Sequence, residues 1–189
     1  KNTDRLIICS SISTLGKTNS IDNILDGIQF FFMQSWTQDE YLAAVKDQDF
    51  FELVKDNLDA NSLLEENEET GATDLDDLIN LKFYYAGGSC RYMFEFSTDA
   101  VKSFIKDAVD SAPDKAELVK YCIGKYHKDE IYSLYGLNEN HERYAVSEYA
   151  FSRFVNASGK DAIVALANNL GTENTSSMLG YLFEWLFLA

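Results

Sequence analysis

Lys82-Phe83-Tyr84-Tyr85-Ala86-Gly87-Gly88-Ser89-Cys90-Arg91-Tyr92-Met93-Phe94 is the stretch on which the reading of this chain turns. A helical apolar pattern runs into Gly87-Gly88, stops there and restarts at Ser89. Two adjacent glycines permit positive φ and a close approach by another backbone or a ligand. Ser89 suits an N-cap, where its hydroxyl takes an orphan N–H of the following helix. Arg91 then falls in the first turn of that helix, a place where a cation opposes the helix dipole. A helix start with free N–H groups beside a guanidinium can hold an anion. The same residues also make a helix–Gly-Gly–helix corner in which Arg91 pairs with a local acid such as Glu95.

Outward from this corner the pattern is mostly helical. Thr37-Gln38-Asp39-Glu40 is a capping box, and Trp36 and Tyr41 occupy the two positions of a hydrophobic staple. Asp49-Phe50-Phe51-Glu52 repeats the cap pattern for a shorter helix. Thr73 is placed to cap a helix with Leu75, Leu78, Ile79 and Phe83 on its apolar side, and Gly87 ends it. Ser97 or Thr98 starts the next, in which Val101, Phe104, Ile105, Ala108 and Val109 form a half-buried stripe. Pro113 suits a first helical turn, with helix over 117–123. The β-prone stretches 131–135 and 143–146 predict short strands or a hairpin around Asn138-Glu139-Asn140. Residues 147–155, 161–169 and 178–187 predict helices. Leu6-Ile7-Ile8-Cys9 reads as one buried strand and 29–33 as a second short one. The expected fold is mainly α, an α/β remnant with one or two short strands at its N-terminus.

Composition narrows the function. The chain has 189 residues, 31 acids against 16 bases, and a formal charge of −15. Phosphate neutralisation needs clustered Lys and Arg, so no direct nucleic-acid binding is expected. An anionic membrane surface is a poor partner for the same reason. No run is long enough to span a bilayer. No Lys or Arg occurs from Asp56 to Leu81, and that acidic stretch reads as a solvated insertion or, more sharply, a docking surface for a basic partner. Cys9, Cys90 and Cys122 are widely spaced and set among apolar neighbours, which predicts buried reduced thiols rather than disulfides or zinc ligands. His127 and His141 lack partners at ligand spacing. Both ends read as cut from a longer chain.

Residues 11–18, Ser-Ile-Ser-Thr-Leu-Gly-Lys-Thr, match only the end of a phosphate-binding P-loop. Ser11 stands where a glycine lets the backbone wrap phosphate, and no apolar strand ending in Asp follows to hold Mg²⁺.

Taken together, several motifs resemble one family, the P-loop NTPase region of the Crinkler effectors of oomycetes and some fungi. The strongest is Ala86-Gly87-Gly88-Ser89-Cys90-Arg91-Tyr92-Met93-Phe94, which departs from the family's A-G-G-S-A-R-[WY]-M-F only at Cys90. Trp36-Thr37-Gln38-Asp39-Glu40-Tyr41 is similar to the turn that enters the family's helical lid. Ser133-Leu134-Tyr135, Val146-Ser147-Glu148-Tyr149 and Gly180-Tyr181-Leu182-Phe183-Glu184 are similar to later segments, and Ile7-Ile8-Cys9-Ser10-Ser11 to its late, sensor-like strand.

The resemblance covers the back half of such a module. It implies a last sheet strand or two over 1–35, then a helical lid over 36–189 carrying the acidic insertion 56–81. It implies a fragment of a secreted effector that acts on a host protein inside the host cell, in the nucleus. In the intact parent, ATP or GTP with Mg²⁺ would lie against Ser10, Ser11, Gly87, Gly88, Ser89 and Arg91. The Walker Lys and the metal carboxylate would come from upstream. This chain alone is expected to carry no cofactor and to turn nothing over. The alternative is a non-enzymatic helical protein–protein interaction module engaging a host protein.

Overall fold

The computed structural model describes residues 33–60, 74–121, 132–138 and 143–159. The expected strand at Leu6–Cys9, the one at 29–33 except Met33, and the helices over 161–169 and 178–187 lie outside them. Within the described residues the fold is mainly helical with one small antiparallel sheet.

The first helix, α1 (Gln38–Ala44), starts as its sequence dictates. Thr37 Oγ1 accepts from the Glu40 N–H at 3.3 Å, and the Thr37 N–H donates to Glu40 Oε2 at 2.7 Å. These bonds hold the Glu40 carboxyl below the usual carboxylate range. The staple forms too, with the Trp36 and Tyr41 rings 5.3 Å apart and Tyr41 wholly buried. The second helix, α2 (Gln48–Val54), is capped two residues earlier than expected. Asp47 accepts from the Phe50 N–H at 2.8 Å, which leaves Asp49 inside the first turn, where a carboxylate suits the dipole. A 3₁₀ turn, Lys55–Asn57, follows.

The third helix, α3 (Leu75–Ala86), ends at Gly87, whose φ of 51° reverses the chain. A short α4 (Cys90–Phe94) leads to α5 (Thr98–Ser111), capped by Ser97. Val101, Ile105 and Val109 of α5 are fully buried and face α3 and the later α7. Phe104, expected on the same stripe, instead sits 44% exposed, edge-on to Phe96. Helix α6 (Lys115–Tyr121) begins two residues after Pro113, and Asp114 accepts from the Ala116 N–H. Lys115 reaches back to the carbonyls of Val109 and Asp110 in the last turn of α5, where the Val109 carbonyl also takes the Ala112 N–H.

After a 3₁₀ turn (Tyr132–Leu134), β1 (Tyr135–Leu137) pairs with β2 (Arg143–Ala145) in the register Tyr135↔Ala145, Gly136↔Tyr144 and Leu137↔Arg143. Helix α7 (Glu148–Ser158) is capped by Ser147 and packs on α6, α5 and α3 through Phe151, Phe154 and Val155. Burial of each large apolar side chain here is worth about 1.5–3 kcal/mol.

The acidic stretch is more than a solvated insertion at its described edges. Leu58, Ala60 and Ile79 are buried, and Asp59 accepts from both the N–H and the hydroxyl of Thr98, at 2.8 and 2.5 Å. Opposite Asp59 lies Lys82, an α3 residue that is fully buried. Its ammonium donates to the carbonyls of Asn57 and Phe96 and stands 3.8 Å from Asp59. Lys82 thereby ties the turn after α2, helix α3 and the turn before α5 together.

Burial pushes the Lys82 ammonium down to about 8, against the pull of Asp59. Between pH 8 and 10 the unfolded chain therefore keeps a proton at this site that the folded chain has lost. Stability at this group rises with pH across that window, by on the order of 2 kcal/mol by pH 10. Denaturant titrations at pH 7.5 and 9.5 are expected to show this gain in the natural chain. Lys82→Met should remove the dependence.

Candidate functional site

Gly87-Gly88 is where distant parts of the chain meet. The Gly88 N–H donates to the Val146 carbonyl at 3.0 Å, and the Gly88 carbonyl accepts from the Trp36 N–H at 3.0 Å. Next to this, the Ser35 N–H donates to the Leu137 carbonyl and Ser35 Oγ accepts from the Leu137 N–H, both at 3.0 Å. The Val146 N–H donates to the Leu134 carbonyl at 2.9 Å. Residues 35–36 thus run beside the hairpin, and the glycine corner closes the gap between them.

The glycines are required by this contact. A Cβ on Gly87 would lie 1.8 Å from the Val146 carbonyl oxygen, in a backbone conformation that already disfavours a side chain. A Cβ on Gly88 would meet Ser35 Cβ at 2.5 Å and the Tyr144 hydroxyl at 2.9 Å. The close approach that two glycines permit is made here by protein backbone.

Ser89 caps α4 through its hydroxyl, which accepts from the Tyr92 N–H at 3.3 Å. That helix has only five residues, so its dipole is small. Arg91 sits on its outer face, its side chain 69% exposed. Arg91 Nε donates to Glu95 Oε2 at 2.8 Å, and the guanidinium carbon lies 5.3 Å from the centre of the Phe96 ring. Cys90 is exposed rather than buried, because Tyr92 and Met93 take the inward face of so short a helix. Of the residues assigned to a nucleotide, Gly87, Gly88, Ser89 and Arg91 therefore cluster, while Ser10 and Ser11 lie outside the described residues, as does the P-loop-like run 11–18.

Beside the corner opens a groove of about 800 Å³. Gly88, Gly136, Trp36, Phe96, Phe104 and Leu137 are among the residues that line it. Arg91 and Arg143 stand along it, and among the described residues none that lines it is Asp or Glu. Sequence reading passed over Ser35, Gly136 and Arg143. The available signal was Gly136, since a glycine within a strand often marks a close approach; here a Cβ would meet Ser35 Oγ at 2.7 Å and the Tyr144 ring at 2.6 Å. Next to the corner, burial pushes the Tyr41 hydroxyl far above the ordinary tyrosine range, with Cys90 and Tyr144 adding to the effect. That hydroxyl has no hydrogen-bond partner among the described residues.

Among the described residues no group of three or more His, Cys, Asp or Glu is placed to hold a metal ion. No helix among them is long and apolar enough to cross a membrane. No protein-family model matches the chain, and neither a curated protein nor a solved structure matches it.

The corner and the arginine separate under mutation. Gly87→Ala is expected to cost about 3 kcal/mol or more, because the clash is with backbone that cannot turn aside. Arg91→Ala removes one exposed ion pair and should cost under about 1 kcal/mol. Chemical denaturation of both variants checks this, and equal losses would contradict it.

Proposed function

We propose that this chain is a non-enzymatic helical module that engages a protein partner. The observation that carries the reading is an open groove with aromatic walls, set against a corner whose close contacts are already made within the protein. Met33 and Phe104 at the groove are large apolar residues, 79% and 44% exposed. Exposed apolar surface bordered by polar groups is the usual mark of a protein contact.

A second reading concerns ancestry and also belongs to this proposal. The Trp36 turn, the Gly87-Gly88-Ser89 corner, Leu134 and Val146 are more than a hundred positions apart at their extremes, yet they join through direct backbone bonds. These are segments on which the resemblance to Crinkler NTPases rests. Their meeting at one point supports descent from the lid of such a module. On that reading the chain belongs to a secreted effector, its partner is a host protein, and the setting is the host nucleus.

Two measurements test the proposal. The purified chain with ATP or GTP and Mg²⁺ should show no turnover above buffer. A photo-crosslinker placed at Phe104 in host cells should trap a protein, and the purified pair should bind with a dissociation constant in the micromolar range or tighter. Turnover that disappears on Lys17→Ala would overturn the non-enzymatic reading. A crosslinked protein that shows no binding once purified would remove support for the interaction.

A further inference from the structure

We draw no further inference here: the strongest candidate, the exposed thiol of Cys90 on the groove beside the Gly87-Gly88 corner, is a lone cysteine, and no contact among the described residues aims the neighbouring buried hydroxyl of Tyr41 into that groove.

Discussion

Gly88 is bonded on both sides, its N–H to Val146 and its carbonyl to Trp36, and this bridge brings together three segments far apart in sequence. The bridge needs no Cβ at either glycine, since each would strike the facing chain. Much local order follows from it. Each of the three segments begins a helix at the next residue: Thr37 caps α1, Ser89 caps α4 and Ser147 caps α7. Three N-termini therefore start from one region. Partial positive charges gathered in this way would repel, and the capping hydroxyls answer them by taking N–H groups. Acids in the first turns, Asp39 and Glu40 on α1 and Glu148 on α7, act in the same direction.

A second constraint sits within α3, one turn before its C-terminal end. A buried ammonium is costly unless it is paired and hydrogen-bonded, and Lys82 has both forms of support. Two backbone carbonyls and Asp59 hold it, and Asp59 is held in turn by Thr98. Apolar contacts are indifferent to small rotations, whereas this set of bonds is met in only one arrangement. Lys82 thus contributes register between α3 and the turns on either side of it more than net stability. Helix α3 is fixed at its C-terminal end by the glycine corner and along its length by Lys82.

The helices were legible where a cap and an apolar period coincided, as at Thr37 and at Ser97 or Thr98, of which Ser97 is the cap. The second strand of the hairpin was legible from its β-prone residues, but the first was set too early: Tyr132–Leu134 form a 3₁₀ turn and β1 starts at Tyr135. The start of α2 was misplaced because Asp47 and Asp49 both satisfy the cap rule, and only the position of Phe50 in the fold distinguishes them. Phe104 fits the apolar stripe of α5 by spacing, but it faces the gap beside Phe96 instead of the core. Lys82 was hidden by the habit of reading a lysine as surface. Its position three residues after buried Ile79 and four before buried Ala86 is the clue that was there. At the glycine corner, sequence showed that something must come close. It could not show that the approaching group is the chain itself, because Val146 is far away in sequence and the contact is through backbone.

A glycine pair is kept by any fold that needs a backbone crossing, whether or not a ligand once lay there. Such a motif speaks to the frame of a fold and not to its chemistry. Arg91 differs in kind. It is exposed, its ion pair is local, and the core does not depend on it. A residue that the frame does not need is the one whose role must be sought in what the surface binds. Arg91 lies along the groove beside the corner, and Arg143 of the hairpin lines the same groove. The glycines thus explain how the corner is built, and the exposed Arg91 is no part of that frame.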